Sequence, residues 1–246
     1  MSIDIKQSWI EHWNKHKDKL IPCTDLNAYF SQGFIGDIEV KQLDIGKISL
    51  YDGDLYISDP LGYLEKDSLP YFQEVPSGDF PVSICVALPK NDSHRYAALK
   101  IQFTNESAVR FEETLIGNED ISEIETFTKG EFFGYNTISG LVCICDSETK
   151  EAYCNFREKW EFDNQELNFY TDYLMNIFHN SYRENPLYQR PEGEWAFFQI
   201  PFTNNKILIV QSGYGDGGYP AYFGFDKDGR ICCVILHFID IEYECK

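Results

Sequence analysis

The stretch "YPAYFGFDKDGRICCVILHF", residues 219–238, decides the fold predicted for this chain. Two apolar segments flank Asp228-Gly229, a dipeptide that suits a tight turn because glycine tolerates positive φ angles. The segment from Ile231 to Phe238 is apolar on both alternating faces, which is typical of a central strand that is covered on each side. The stretch therefore predicts a β-hairpin whose second strand lies inside a sheet.

Segments with strand composition continue on both sides of this hairpin. They are "DFPVSICVALP", "HRYAALKIQF", "AVRFEETL", "EFFGYNTISGLVCICD", "EWAFFQIPF" and "NKILIVQSG". Earlier still, Asp52-Gly53 separates the two apolar runs of "KISLYDGDLYISD", and this dipeptide predicts a two-residue hairpin. Strands that follow one another at this spacing predict mainly antiparallel sheets.

Helical periodicity appears in three places. Residues 3–20 place Trp9 and Trp13 on one apolar stripe, so we expect this helix to pack on the chain's own core. A second helix is predicted from Ser147 to about Trp160. A third is predicted from roughly Asn164 to Tyr182, with Asn185-Pro186 ending it.

These elements predict one domain of the α+β class over residues 1–246, because no segment between them has the composition of a linker. Mainly antiparallel β sheet forms its core, residues 1–22 supply an N-terminal helix that packs on it, and one or two helices are inserted around residues 147–183. A chain of 246 residues with 43% apolar side chains can bury a core without metal ions or disulfides.

The charge balance restricts the class of partner. The chain has 21 Lys and Arg against 40 Asp and Glu, a formal net charge of −19. Such a field repels phosphate backbones, so we expect no nucleic-acid partner, whereas a basic protein would be attracted. Acidity that only keeps the protein soluble is the alternative reading. The oligomeric state does not follow from the sequence.

The cysteines and the apolar runs bear on the compartment. Cys143-x-Cys145, Cys232-Cys233 and four single cysteines include no Cys-x-x-Cys spacing, and most lie in apolar runs where a free thiol acts as a small hydrophobe. No apolar run approaches the length of a membrane span, and "MSIDIKQSWIEHW" lacks the pattern of an export signal. We therefore expect a cytoplasmic protein with no membrane partner.

The glycine-rich stretch before the hairpin, "GYGDGGYP", is a candidate binding loop with Gly215, Asp216, Gly217 and Tyr219 as its central residues. A phosphate site is disfavoured because no Lys-Ser/Thr follows and Asp216 occupies the place of an anion. Calcium is disfavoured because the Asp226–Arg230 segment does not continue as an EF-hand loop. A ligand with hydroxyl, amide or cationic groups suits the loop better.

Motifs for hydrolysis and for metal binding are missing from the sequence. There is no Gly-x-Ser-x-Gly elbow and no His-Glu-x-x-His. Among the histidines only His12 and His16, four residues apart, have a spacing that suits a shared zinc ion, and a solvated helix edge is the favoured interpretation of that pair. We expect no metal and no cofactor, and we favour a protein that is not an enzyme.

Three carboxylates follow strands or lie in turns, where functional groups concentrate: Asp59, Asp146 and Asp216. They could converge into an acid–base pair or a hydroxyl-binding cluster. Each also has a structural alternative, since Asp59 can begin an Asx turn, Asp146 can cap the helix that follows, and Asp216 can brace its own loop.

The motifs together resemble the bacterial family known as domain of unknown function 4241. The resemblance rests on "LYISDP", "VPSGDFPVSICVA", "FFGYNTISGLVCICD" and, most specifically, "GYGDGGYPAYFGFDKDGRICCVILHF", and it covers roughly residues 45–240. The chain departs from the family at 138–140, where Ile-Ser-Gly replaces Asp-x-Gly, so the resemblance carries no carboxylate role over to this point. The resemblance implies a mainly β domain of uncharacterised activity, with some relatives associated with toxin and immunity systems.

Two functions are therefore carried forward. The first is an acidic, cytoplasmic, immunity-type protein that sequesters a basic toxin domain. The alternative is a small-molecule-binding or hydrolytic site formed by Asp59, Asp146 and the Gly215–Tyr219 loop.

Overall fold

A computed structural model of the chain describes residues 5–244; residues 1–4 and 245–246, among them Cys245, lie outside the described residues. The helices are α1 (Gln7–His16), α2 (Ser147–Asp163), α3 (Met175–Glu184) and α4 (Ile241–Glu244). The strands are β1 (Phe34–Ile35), β2 (Ile38–Leu50), β3 (Tyr56–Ser58), β4 (Gly78–Leu88), β5 (Arg95–Gln102), β6 (Arg110–Glu113), β7 (Tyr135–Thr137), β8 (Leu141–Cys145), β9 (Trp195–Gln199), β10 (Lys206–Gln211), β11 (Gly217–Tyr219), β12 (Ala221–Phe225) and β13 (Ile231–His237).

The strands form three antiparallel sheets, which confirms the predicted α+β class. The largest has the order β1-β2-β4-β5-β13-β12-β6, the second β3-β8-β10-β9, and the third pairs β11 with β7. Strand β13 lies between β5 and β12 in the large sheet and is almost entirely buried. The predicted hairpin of β12 and β13, with its buried central strand, is therefore confirmed.

The hairpin predicted at Asp52-Gly53 is wrong. Strand β2 pairs with β4 in the large sheet, whereas β3 pairs with β8 in the four-stranded sheet. The turn at Asp52-Gly53 instead passes the chain from one sheet to the other. Contacts with distant segments hold it there, because Gly53 O accepts from Val75 N at 2.8 Å and Asp52 accepts from the amide of Glu148 at 3.2 Å.

The four-stranded sheet is buried on both faces and separates two cores. Its residues Val142, Ile144, Leu208 and Val210 contribute to the core shared with the large sheet. The alternate residues Cys143, Cys145, Ile207 and Ile209 contribute to a second core that α2 and α3 close. Burial on two faces explains why these strands are apolar at nearly every position.

The N-terminal helix packs on the chain, as expected. Trp9 and Trp13 are buried and belong to a third apolar cluster with Ile121 and Ile124 of a short 3-10 helix, Ile121–Glu125. Helix α1 ends at His16 and continues as a 3-10 turn to Lys19, before Pro22. No helix within residues 5–244 is long and apolar enough to cross a membrane.

The helix predicted from roughly Asn164 begins later. Asn164 donates from its side chain to Trp160 O and closes α2, and the chain then turns before a π-helix at Phe169–Leu174 that leads into α3. The side chain of Asn168 accepts from the amides of Tyr170 and Thr171, both at 3.0 Å, and so caps this second helical segment.

Candidate functional site

Asp59, directly after β3, has a completely buried side chain that is saturated with hydrogen bonds. Donor–acceptor distances lie between 2.7 and 3.1 Å. Oδ1 accepts from Leu61 N, Gly62 N and Ser139 Oγ, and Oδ2 accepts from Thr137 Oγ1, Ile138 N and Ser139 N. A carboxylate offers about four lone-pair sites, so none is left for a ligand.

Two opposing effects act on the pKa of Asp59. Burial raises it, whereas the hydrogen bonds from Ser139 and the backbone amides lower it, and the hydrogen bonds outweigh burial, so the pKa is below its ordinary value. Asp59 is therefore an ionised carboxylate whose negative charge is stabilised by internal hydrogen bonds. It holds the 61–62 turn against the segment 137–139 and braces the fold.

Asp146 is also occupied by structural contacts. Its Oδ1 accepts from Thr149 N at 3.0 Å, which makes it the N-cap of α2, and its Oδ2 accepts from Tyr51 N at 2.9 Å. The side chain is buried. Asp146 thus joins the start of α2 to the chain that leaves β2, and this is the capping role that the sequence allowed as the alternative.

Asp59 and Asp146 do not converge. Strand β3 pairs antiparallel with β8, with Tyr56 opposite Cys145 and Ser58 opposite Cys143. Asp59 follows one strand and Asp146 the other, so the two carboxylates lie at opposite ends of the pair. In this register Asp146 lies opposite Leu55. Leu55 comes four residues before Asp59, so the positions of the two carboxylates are separated by about 13 Å along the strands. A single site formed by all three proposed carboxylates is therefore not present.

The Gly215–Tyr219 loop does lie beside the segment that Asp59 holds. Strand β11 pairs with β7, placing Gly217 opposite Thr137, and Ser212 N donates to Gly140 O at 3.0 Å. Within the loop, Tyr219 Oη donates to Gly215 O at 2.7 Å. The structure thus brings the loop and Asp59 to the same end of β8.

Two glycines of this region are required by the backbone. Gly140 has a φ of +67°, and a Cβ there would lie 3.3 Å from Gly215 Cα and 3.7 Å from Asp216 Oδ1. Gly215 has a φ of +103°, which side-chain-bearing residues rarely adopt. The glycines therefore allow two chain segments to touch, while Asp216 stays exposed over Gly140.

A cavity of about 360 Å³ lies on the other side of β7, between β3 and β7 and the segments near residues 63–71 and 116–119. Its volume is at the lower end of the range for ligand sites. Polar groups line much of it, including Ser58, Tyr71, Glu119, Tyr135 and Asn136. The Tyr135 hydroxyl is buried and has no hydrogen-bond partner among the described residues.

Glu113 of β6 lies behind this wall and contrasts with Asp59. Its Oε1 accepts from Gly134 N at 2.7 Å, while its Oε2 has no partner among residues 5–244. Burial raises its pKa to about 8, and the backbone amides of Gly134 and Phe133 lower it only in part. Glu113 therefore carries a proton at neutral pH.

The prediction from sequence missed Glu113, although a signal for it was present. Residues two apart in a strand face the same side, so Glu113 shares the buried side of Phe111 in "AVRFEETL". An acidic residue on the core side of a predicted strand is rare, and this is what marks it.

A second feature is an acidic ridge, defined here as the exposed carboxylates of residues 148–172. Its members are Glu148, Glu151, Glu158, Glu161, Asp163, Glu166 and Asp172. Residues 148–172 contain three Lys and Arg and seven Asp and Glu, so their net charge is 3 − 7 = −4. Lys150, one of the three bases, is buried and donates to the carbonyl oxygens of Lys66 and Ser68.

Apolar side chains are exposed within the acidic ridge. Phe162 is 75% exposed, Leu167 50% and Tyr170 37%. On α2, Glu148, Glu151, Asn155, Glu158 and Phe162 follow one another at spacings of three and four and are all exposed, so they form one outward stripe. Large apolar groups set among charges are typical of surfaces that bind other proteins.

Comparison with known proteins identifies the family and nothing further. The family model described as "Protein of unknown function (DUF4241)" matches residues 48–236, and the chain belongs to this family. The match runs from β2 to β13, in agreement with the predicted extent of 45–240. No curated protein matches the chain, and no solved structure matches it.

Proposed function

We propose that this member of the DUF4241 family is an acidic cytoplasmic binding protein of the immunity type, which sequesters a basic toxin domain through its acidic ridge. The observation that carries the proposal is the exposure of Phe162, Leu167 and Tyr170 among the carboxylates of the ridge. Aromatic and aliphatic anchors surrounded by a polar rim are the usual arrangement at a protein interface.

Charge supports a basic partner. The net charge of −19 gives a long-range field that draws cations, and the ridge adds local carboxylates beside the apolar anchors. The same field disfavours a nucleic-acid partner. In this mode the carboxylates speed and orient the encounter, and the apolar side chains supply most of the affinity.

The two buried carboxylates also support binding over catalysis. Asp59 and Asp146 are buried and accept hydrogen bonds from internal donors on both oxygens, which supports structural roles for them over proton transfer with a substrate. A cytoplasmic location is supported by the seven free cysteines among the described residues, since thiols persist in a reducing compartment.

Affinity capture from the native host tests the proposal with two matched variants. The ridge variant carries Glu151→Lys, Glu158→Lys and Glu166→Lys; the control variant carries Asp18→Lys, Asp37→Lys and Glu106→Lys, all exposed positions outside the ridge. Each changes the net charge by the same amount, from −19 to −19 + 6 = −13.

We expect one basic protein to co-purify with the wild type and the control variant and to be lost with the ridge variant. Expression of that protein alone should stop growth of a host cell, and co-expression of this chain should restore growth. Recovery of no basic protein, or equal loss with both variants, would contradict binding through the ridge.

The cavity beside β7 favours small-molecule binding as the second candidate. It combines a ligand-sized volume with the buried hydroxyl of Tyr135, which has no hydrogen-bond partner in the part of the chain that the structure describes. Asp59, Asp146 and the Gly215–Tyr219 loop do not line this cavity, so this candidate is a different site from the one predicted from the sequence. Ligand-observed NMR with small polyols and amines tests it. Asn118→Trp, which fills the cavity from its exposed rim, should abolish any signal, and binding that survives this change would exclude the cavity.

A further inference from the structure

A cluster of two histidines and one glutamate lies at the N-terminal helix, away from both features described above. His12 and His16 lie one turn apart on α1, with ring centroids separated by 4.7 Å. Glu125, the last residue of the 3-10 helix Ile121–Glu125, faces them. One ligand atom from each of the three lies within 4.8 Å of the other two.

The two imidazoles direct the same atom toward the same carboxylate oxygen. His12 Nε2 lies 3.6 Å from Glu125 Oε1, and His16 Nε2 lies 3.8 Å from it. Both distances are too long for good hydrogen bonds. Both nitrogens are buried and neither has a hydrogen-bond partner among the described residues. Two buried nitrogens left unpaired beside one carboxylate require an explanation.

A shared metal ion accounts for these distances. Zinc binds imidazole nitrogen at about 2.0–2.1 Å and carboxylate oxygen at about 2.0–2.2 Å in tetrahedral geometry. Two such ligands lie about 3.4 Å apart, so small side-chain adjustments would complete the site. Two histidines and one carboxylate are a known zinc ligand set that leaves a fourth position open to water.

The surrounding packing holds the ligands in place. Trp9 and Trp13 of α1 pack with Ile121 and Ile124, which fixes α1 against the 3-10 helix. Lys19 Nζ donates to the carbonyl oxygens of Ile124 at 3.1 Å and Glu125 at 2.8 Å, and so anchors the end of that helix. The site therefore rests on two elements that the core already positions.

We propose that His12, His16 and Glu125 bind one divalent first-row transition-metal ion, with Zn²⁺ the ion best matched to the ligands. The sequence led us to expect no metal, because spacing alone did not reveal the carboxylate that completes the set. The ion joins α1 to the segment before β7. Helix α1 lies outside the range that matches the family, so the site extends beyond the shared domain.

Zinc titration of the purified full chain tests the site. A Cys23→Ser, Cys245→Ser background removes the exposed thiol at 23 and the thiol outside the described residues. Competition with a chromophoric chelator should give one ion per chain with a Kd on the order of 1 μM or tighter. His16→Gln or Glu125→Gln should weaken binding by about 100-fold, whereas His179→Gln, a partly exposed histidine on α3, should leave it unchanged.

Cobalt supplies a second readout that reports the ligands directly. Co²⁺ should give visible absorption typical of a four-coordinate site in the wild type and the His179→Gln variant, and that band should be lost in Glu125→Gln. Glu125 is more than half exposed, so its substitution tests the ligand role without threatening the fold. Absence of stoichiometric zinc binding, or binding that is equal in the wild type and Glu125→Gln, would overturn the proposal and leave an unmetallated His–Glu contact.

Discussion

Asp59 and Glu113 are two buried carboxylates with opposite surroundings. Asp59 receives hydrogen bonds on both oxygens, and these lower its pKa despite burial. Glu113 accepts a hydrogen bond at Oε1, has no partner at Oε2 within the described part of the chain, and has its pKa raised to about 8 by burial. Burial is the largest single effect on the pKa of both carboxylates, and the donors that the fold directs at each one decide whether that effect is overcome.

Asp59 has a purely structural role, whereas Glu113 has an unpaired carboxyl oxygen within the described residues. Asp59 joins segments nearly eighty positions apart in sequence and has no capacity left for a ligand. Glu113 is buried beside Gly134, which lines a cavity, and its raised pKa means that it keeps a proton that Asp59 has lost. The sequence singled out Asp59, which stabilises the fold, and it did not single out Glu113, whose pKa is raised.

The largest expected effect is that of removing Asp59. Asp59→Ala leaves several buried amides and hydroxyls without an acceptor, so we expect the free energy of unfolding to fall by about 3 kcal/mol or more. Urea denaturation at pH 7 measures it. Asp67→Ala, at an exposed position, is the control and should change stability by less than about 0.5 kcal/mol. A similar small loss for Asp59→Ala would show that its hydrogen bonds do not brace the fold.

The pH dependence of Glu113→Gln sharpens the contrast. The folded pKa of Glu113, about 8, lies above its ordinary value of 4.5, so the folded state binds the extra proton and wild-type stability falls as pH rises between these values. Glutamine has no proton to lose, so we expect the variant to be more stable than the wild type by about 1–3 kcal/mol at pH 8 and nearly equal at pH 4.5.

Chemical denaturation across that range measures the difference between the two proteins. Asp59 acts in the opposite direction: its lowered pKa contributes stability above its ordinary value, and this contribution is lost as pH falls below about 4. Equal pH profiles for the wild type and Glu113→Gln would mean that Glu113 is ionised in the folded state.

Removal of the Asp146 cap should have an intermediate effect. Asp146→Ala frees the amide of Thr149 and that of Tyr51, so we expect a loss of about 1–2 kcal/mol. Thermal and urea unfolding measure it, with Glu148→Ala in the first turn of α2 as the control. If the two variants lose the same small amount, the cap contributes no more than a nearby charge.

The smallest effect should come from Asp216. Its side chain is exposed over Gly140, so Asp216→Asn should change the free energy of unfolding by less than about 0.5 kcal/mol. Urea denaturation measures this as well. A loss comparable to that of Asp59→Ala would instead make Asp216 a structural partner of the 137–140 segment.

Local patterns predicted the fold where local contacts decide it. The turn at Asp228-Gly229 and the buried strand β13 follow from residues adjacent in sequence, because the turn residues and the strands they join share one hairpin. The turn at Asp52-Gly53 has equally good hairpin residues but joins two sheets. The path of this turn depends on a hydrogen bond from Tyr51 N to Asp146, which lies ninety-five positions later. No local pattern contains that contact.

The candidate sites also could be predicted only as far as their contacts are local in sequence. Asp59 and Asp146 end similar stretches, yet the antiparallel pairing of β3 and β8 separates them, and strand order is not encoded by composition. His12 and His16 have a readable spacing within one helix. Their third partner, Glu125, comes from a distant 3-10 helix, which the packing of Trp9 and Trp13 and the hydrogen bonds from Lys19 bring near.

Binding of the captured basic partner to purified ridge and control variants tests the central claim most directly. Isothermal titration at low and moderate salt should give a Kd for the ridge variant at least about 100-fold weaker than that of the wild type, with weaker salt dependence. The control variant, with the same net charge, should stay within about five-fold of the wild type. Equal weakening of both variants would show that total charge, and not the acidic ridge with its exposed apolar anchors, governs binding.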